Sequence, residues 1–197
     1  MWFHIAICEP DHCKYIGEIL DYGIKTYSNF SAQGKSTINK SIVFDDENNE
    51  TFKVGSFYVT VFPVKHDVKN TAFVIQSESF GRLLFITDTA YIEYQIPDVN
   101  HYLIEANYED SIMDKAVQEG HIESFVARRI KSNHMSLDTC IKTILSNGLN
   151  KVRTVILTHL SNNNSHADMF QEKVEKATGK RVFIGDKDLT VNLSSLF

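Results

Sequence analysis

The sequence predicts an α/β fold in which helices cover the outer faces of packed β-sheets. Two observations predict this class. Short apolar segments typical of strands dominate the first half of the chain, and after residue 107 segments with apolar residues at helical spacing alternate with strands. No internal repeat, low-complexity tract or proline-rich linker divides the 197 residues, so we expect a single domain over residues 1–197.

The first half of the chain is predicted to be mostly β-structure. The apolar run at residues 3–7 is typical of a buried strand, and a helix capped by Asp11 is predicted to follow it. A hairpin is predicted over residues 51–64, because apolar residues alternate along its second half. Further strands are predicted at residues 24–28, 72–76, 82–87 and 102–105.

The second half is predicted to alternate between helices and strands. Helices are predicted at residues 111–119, 123–132, 137–146 and 167–178, where apolar residues recur at helical spacing. Strands are predicted at residues 155–158, 181–184 and 189–193. This alternation is the pattern expected where helices pack on the outside of a sheet.

Net charge and cysteine content bear on nucleic-acid binding and on the cellular compartment of the protein. The net charge of −5 provides no overall basic field of the kind that drives nucleic-acid binding. A local basic group, formed by Arg128, Arg129 and Lys131, has two interpretations: a phosphate-binding patch or a solvated helix face. Three cysteines without CxxC spacing, together with the lack of a signal-peptide pattern or a membrane-length apolar run, predict a soluble cytoplasmic protein without a membrane partner.

Polar residues follow several of the apolar runs. The ends of predicted strands carry five such residues: Asp11, His12, His66, Asp88 and His159. An ionised or unpaired polar side chain is costly inside a sheet, but at the ends of neighbouring strands such side chains can converge on one point. Imidazole and carboxylate ligands without cysteine suit a hydrolytic site for divalent metals.

Each of these residues also has a simpler interpretation. Asp11 could cap a helix and leave His12 on the surface, and Asp88 could be an ordinary turn residue. His159 could be a core histidine bonded to a backbone carbonyl. The order in which the polar segments occur along the chain favours the metal interpretation.

Five segments of the chain occur in the order of the motifs of the metallo-β-lactamase superfamily. They are residues 66–73 (HDVKNTAF), 85–89 (FITDT), 104–107 (IEAN), 133–136 (NHMS) and 158–161 (THLS). From about residue 5 onwards the sequence resembles this superfamily, and most closely its phosphodiesterase branch: tRNase Z-like and RNase J-like nucleases and the phage anti-Pycsar cyclic-nucleotide phosphodiesterases. The resemblance implies an αββα sandwich.

The resemblance also implies a dinuclear centre that binds up to two divalent metal ions, zinc or manganese. The implied ligands are Glu9, Asp11, His12, His66, Asp88 and His159. Asp88 would bridge the two metals, and Asp11 would also take part in catalysis. Such a centre suits phosphoester hydrolysis, because two metals stabilise the attacking and the leaving oxygen together.

The first motif of the superfamily, His-x-His-x-Asp-His, is incomplete in this chain. Ile7 and Glu9 stand where family members have the two leading histidines. Ile7 cannot bind a metal, whereas Glu9 offers a carboxylate in place of an imidazole. Family members also carry further strands before this motif. We therefore expect a first sheet that lacks its opening strands, and a homodimer formed through the sheet edge that this leaves.

His134 and Glu105 are the implied proton-transfer pair. In the nuclease branch the matching histidine protonates the leaving oxygen, and the matching glutamate orients that histidine. The alternative is that His134 simply precedes a helix capped by Ser136. Substrate-binding residues are predicted in the loop after the last motif histidine, namely Ser161, Asn162 and Asn163. For this loop, plain exposure to solvent is the alternative.

The predicted function is metal-dependent hydrolysis of a phosphodiester, in a cyclic nucleotide or at a nucleic-acid end. The short interval between His66 and Asp88 leaves no space for the arm with which long tRNase Z proteins hold tRNA, so a small nucleotide or a nucleic-acid end is the expected substrate. The residues at Ile7 and Glu9 support a second hypothesis: a catalytically impaired protein of the same fold that acts as a nucleotide-binding or interaction module.

Overall fold

The structure is a computed structural model that describes residues 3–6, 16–29, 42–45 and 48–194. Its strands are β1 Phe3–Ala6, β2 Lys25–Asn29, β3 Ile42–Phe44, β4 Thr51–Val54, β5 Phe57–Val64, β6 Asn70–Ser77, β7 Gly81–Ile86, β8 His101–Glu105, β9 Thr154–Thr158 and β10 Arg181–Ile184. Its helices are α1 Ile16–Asp21, α2 Asp110–Gln118, α3 Ser124–Asn133, α4 Leu137–Ser146 and α5 Ala167–Thr178. Within these ranges, no helix combines the length and the apolar character needed to cross a membrane.

The smaller sheet contains three described strands in the order β1-β2-β3, all parallel. Helix α1 connects β1 to β2, and Gly23, with φ of +71°, takes the left-handed conformation that ends such a helix without strain. The sequence did not predict β3, because three residues are too few to show an alternating pattern. The expected homodimer through the edge of this sheet stays a prediction.

The larger sheet contains seven strands in the order β10-β9-β8-β7-β6-β5-β4. The strands from β10 to β7 are parallel neighbours, and those from β7 to β4 are antiparallel neighbours. The predicted hairpin is confirmed: β4 and β5 are joined through Gly55, with φ of +61°, and Val54 pairs with Phe57. A two-residue connection of this kind needs a positive φ, which glycine adopts readily.

The larger sheet is covered on both faces, because successive side chains of a strand point to opposite sides. Towards the helices, a large core joins strand residues such as Leu84 and Ile104 to residues of α4 and α5 such as Ile144 and Phe170. On the other face, a second core contains Tyr27 of the smaller sheet, whose ring stacks on Phe52 with centroids 5.1 Å apart. The predicted α/β class with two packed sheets is confirmed.

Most predicted elements agree with the structure, and α4, α5 and β10 have the predicted bounds. The strand predicted at residues 189–193 is wrong, since these residues are not in a strand. After β10 the backbone N–H of Gly185 donates to the carbonyl of Leu157, and that of Leu189 donates to the carbonyl of Asp186. This turn directs the chain away from ladder pairing, although the segment contains apolar residues.

Candidate metal centre

Four strand ends meet at one edge of the larger sheet. β5 and β7 are both antiparallel to β6, while β8 and β9 are parallel to β7, so β5, β7, β8 and β9 run in one direction. His66 follows β5, Asp88 follows β7 and His159 follows β9, and Glu105 is the last residue of β8. The carboxyl ends of these strands therefore bring the four polar residues to the same edge.

Asp88 and His159 share an unusual backbone conformation, with φ of +55° at each. Residues other than glycine rarely adopt this left-handed conformation unless the surrounding structure holds it. Two buried asparagines do so here. Asn70 Nδ2 donates to the carbonyl oxygen of Asp88 at 2.7 Å, and Asn107 Nδ2 donates to the carbonyl oxygen of His159 at 2.8 Å. Each candidate ligand is therefore fixed by an amide side chain from another segment.

Glu105 connects the two histidines of the site. Its carboxylate is fully buried, and Oε1 accepts hydrogen bonds from Nδ1 of His134 at 2.7 Å and from Nδ1 of His159 at 2.8 Å. Its Oε2 accepts the backbone N–H of Thr89 at 3.1 Å. Nδ1 of each ring faces the carboxylate, so Nε2 of each ring is directed away from Glu105. A carboxylate on one ring nitrogen is the usual way in which metal-binding histidines are oriented.

The histidines determine the charge state of Glu105. Burial by itself raises the pKa of a carboxyl group, but the hydrogen bonds from His134 and His159, together with the attraction of these rings when they are protonated, hold the pKa of Glu105 below its usual value of 4.5. The carboxylate is therefore ionised at neutral pH and acts as a hydrogen-bond acceptor for both rings.

Asp88 completes a cluster of possible ligands. Its Oδ1 lies 3.4 Å from His159 Nε2, and the residue is 2% exposed. Asp88, Glu105, His134 and His159 each offer one ligand atom, and these atoms lie within 4.8 Å of one another. Two imidazoles and two carboxylates are donors that suit zinc or manganese. Glu105 is fully buried, whereas Asp88 and His159 line the adjoining cleft, so these two are better-placed ligands than Glu105.

A cleft of about 380 Å³ opens beside this cluster. It is lined by His66, Asp67, Asp88, Val126, Arg129, Ile130, Asn133, His134 and His159. The ring of His66 lies 5.6 Å from that of His134, measured between centroids. A hydrogen bond from Arg129 outweighs the effect of partial burial and lowers the pKa of Asp67 from its usual 3.8. The cleft thus holds both an ion pair and the candidate metal ligands.

The structure brings together five of the residues that the sequence predicts for the site: His66, Asp88, Glu105, His134 and His159. Three other predicted ligands, Glu9, Asp11 and His12, lie outside the described residues, and their role stays a prediction. Ser161, Asn162 and Asn163 lie in the loop after β9 and are not among the residues that line the cleft. Their role in substrate binding also stays a prediction.

The two interpretations of the segment around His134 are compatible. Ser136 Oγ accepts the backbone N–H of Thr139 at 3.1 Å and caps α4, as the helix interpretation predicts. His134, two residues earlier, nevertheless faces Glu105. The cap fixes where the helix begins, and this places His134 in the connection between α3 and α4.

Sequence reasoning missed the residues that position the site. Asn70, Thr89 and Asn107 are buried and bind the backbone or side chain of a candidate site residue. Each stands within four residues of a predicted site residue in one of the motif segments. All three are polar residues close to a strand end, beside a predicted site residue. This position is the signal that could have identified them.

The sequence matches no protein-family model, and it matches no curated protein. Solved structures share its fold. The metallo-β-lactamase fold protein YhfI from Bacillus subtilis superposes with a TM-score of 0.69 at 17% identity, over 92% of this chain and 74% of its own. Igni18, a metallo hydrolase from the hyperthermophilic archaeon Ignicoccus hospitalis, gives a TM-score of 0.69 at 13% identity, over 95% of this chain and 77% of its own.

The short form of human tRNase Z is a third similar structure, with a TM-score of 0.55 at 13% identity, over 96% of this chain and 67% of its own. At these identities the likeness shows the fold alone. The chain therefore has the metallo-β-lactamase fold that the order of its motifs predicts, and its neighbours of that fold include hydrolases.

Proposed function

We propose that this protein is a metal-dependent phosphodiesterase that acts on a cyclic nucleotide or on a nucleic-acid end. One observation carries the proposal: a single buried carboxylate, Glu105, holds both His134 and His159, while Oδ1 of Asp88 lies 3.4 Å from Nε2 of His159. Through its hydrogen bonds, Glu105 orients both a candidate metal ligand, His159, and a candidate general acid, His134. If these residues served only to stabilise the core, there would be no reason for His134, His159 and Asp88 to line a cleft.

The residues proposed to hold metal are Asp88, His159 and His66, together with Glu9, Asp11 and His12 from the sequence prediction. The donor set fits zinc or manganese. When bound, a divalent cation lowers the pKa of a coordinated water and stabilises the negative charge that develops on a phosphoryl group.

His134 is proposed as the general acid. In the hydrolysis a water molecule loses a proton to solvent and its oxygen bonds to phosphorus, the bond from phosphorus to the leaving oxygen breaks, and that oxygen takes a proton from His134. The Nδ1–H of His134 donates to Glu105, so its Nε2–H is the group available to the leaving oxygen. The side chain is 22% exposed and lines the cleft, which gives it access to a substrate.

The dimensions of the cleft support a small substrate. A volume of about 380 Å³ is at the low end for sites that hold small organic molecules. A cyclic nucleotide or the terminal nucleotide of a strand matches this size better than a folded RNA does. The net charge of −5 also favours a small substrate, because a large polyanion such as a folded RNA would be repelled by the negatively charged protein.

A second candidate function is a nucleotide-binding or interaction module without catalytic activity. The residues at Ile7 and Glu9 favour it, because they replace the two leading histidines of the first motif. The two functions differ in metal content and in turnover. The enzyme requires about two zinc or manganese ions per chain, whereas the binding module requires neither metal nor turnover.

Metal analysis and hydrolysis assays test the proposal. The purified chain is loaded with zinc or manganese and assayed on bis-p-nitrophenyl phosphate and on a panel of cyclic nucleotides. We expect metal-dependent hydrolysis that is lost on chelation and restored by added metal. The double variant Ile7→His/Glu9→His should raise both metal content and rate if ligation limits activity. If the parent chain and this variant are both inert with metal bound, the binding module replaces the enzyme.

A further inference from the structure

One face of α3 forms a wall of the cleft. Four of its residues line the cleft: Val126, Arg129, Ile130 and Asn133. The last three follow Val126 by three, four and seven residues, a spacing that places all four on one side of the helix. The wall therefore presents two aliphatic side chains and one guanidinium group beside the candidate metal ligands. A surface with this composition suits a ligand that has both an anionic group and an apolar part.

The structure separates the three basic residues that the sequence places together. Lys131 Nζ lies 2.7 Å from Asp110 Oδ1 and 2.9 Å from Asp114 Oδ1, so two carboxylates of α2 neutralise its charge. Arg128 lines a different surface hollow, between α2 and α3. Arg129 alone of the three lines the cleft.

Asp67 holds Arg129 in the cleft without using all of its donors. Arg129 Nε and Nη2 lie 3.2 Å and 2.9 Å from Asp67 Oδ2, and Asn133 Nδ2 donates to the same oxygen at 3.1 Å. A guanidinium has five N–H groups. The side chain of Arg129 is 76% exposed, so its remaining N–H groups are accessible from solvent in the cleft.

We propose that Arg129 binds the phosphate of the substrate and that Val126 and Ile130 contact its organic part. The inference rests on the proposed function and gives its substrate a chemical class: a small phosphate ester whose ester group is apolar or planar, such as a nucleoside. A guanidinium matches the oxygens of a phosphate in a fork that an ammonium group cannot reproduce. The pair with Asp67 orients Arg129 before the substrate arrives, which reduces the entropy lost on binding.

Anion binding to the zinc-loaded chain tests this inference without requiring turnover. The dissociation constants of inorganic phosphate and of adenosine 5′-monophosphate are measured by calorimetry for the parent, Arg129→Gln, Arg129→Lys and the matched control Arg128→Gln. We expect Arg129→Gln to weaken the binding of both anions about 10- to 100-fold, the effect of losing a charge-assisted pair. Arg129→Lys should recover part of the loss, and Arg128→Gln should bind as the parent does.

Zinc content and the unfolding temperature are measured on the same samples. Both should be unchanged in Arg129→Gln, because the side chain is largely exposed. Equal losses in Arg129→Gln and Arg128→Gln, or no loss in either, would overturn the inference, and so would a parent chain that binds neither anion. If the parent binds phosphate through Arg129 but hydrolyses no phosphodiester, the proposed function fails and this inference stands.

Discussion

Among single residues, Glu105 has the widest influence on the site because both histidines depend on its carboxylate. Its pKa in the folded chain is below the usual 4.5, so ionised Glu105 stabilises the fold. That contribution is present in full above the unfolded pKa and is lost as the pH falls through the lower folded value. We therefore expect the metal-free chain to lose part of its free energy of unfolding as the pH falls below about 4.5.

Urea unfolding of Glu105→Gln across this pH range measures the contribution. The variant should be less stable than the parent by about 2–3 kcal/mol at pH 7, since it loses hydrogen bonds to a charged group. The difference should shrink as the pH falls. Glu172→Gln, at an exposed position of α5, is the control and should follow the parent at every pH. A constant difference between Glu105→Gln and the parent would contradict this account.

Asp88 and His134 are predicted to differ in what they contribute. Asp88→Asn should lose metal and activity together, because a neutral amide is a poor ligand for a divalent cation. His134→Ala should keep its metal and lose about 10²–10⁴-fold in turnover, the usual effect of removing a general acid. Zinc content and turnover of bis-p-nitrophenyl phosphate are measured on both variants, with the exposed His121→Ala as control. Loss of zinc from His134→Ala would make His134 a metal ligand instead.

At the scale of elements, the loops after β7 and β9 depend on amide side chains from other segments. Asn70 Nδ2 donates to the carbonyl oxygens of both Thr87 and Asp88, at 2.8 Å and 2.7 Å. Asn70→Ala leaves the carbonyls of Thr87 and Asp88 without this donor. We expect a loss of about 1–3 kcal/mol in the free energy of unfolding and a zinc affinity about 10–100-fold weaker.

Urea unfolding and zinc titration measure these two effects. Asn150→Ala, in the exposed turn after α4, is the matched control and should change neither quantity. If Asn70→Ala loses stability but binds zinc as tightly as the parent, the backbone of Asp88 does not need this support for metal binding.

At the scale of the whole molecule, the two sheets are joined by aromatic packing. Tyr27 of β2 is 7% exposed and stacks on Phe52 of β4. Tyr27→Ala removes this contact and should lower the free energy of unfolding by about 3 kcal/mol or more. Tyr22→Ala, at a residue that is 83% exposed, is the matched control and should stay within about 0.5 kcal/mol of the parent. Equal stability of the two variants would show that the sheets do not depend on Tyr27.

Much of the element order could be predicted from the sequence, because helices and strands leave local periodic patterns. The bounds of α4 and α5 agree with the prediction since their apolar residues repeat at helical spacing over ten residues or more. The periodic pattern failed to give the correct structure for two segments. The strand β3 is too short to show alternation, and residues 189–193 have apolar residues without a ladder partner.

The sequence by itself determined which residues could form the site, because polar residues at the ends of apolar runs are visible in the chain. Only the tertiary structure decided which of them meet. Glu105 is 29 residues from His134 and 54 from His159, and they come together through the register of β8 against β9 and the connection between α3 and α4. The same holds for Arg129 and Lys131, two residues apart in sequence, of which one lines the cleft and the other pairs with α2. Local patterns reflect backbone periodicity, whereas contacts between distant residues depend on how whole elements pack.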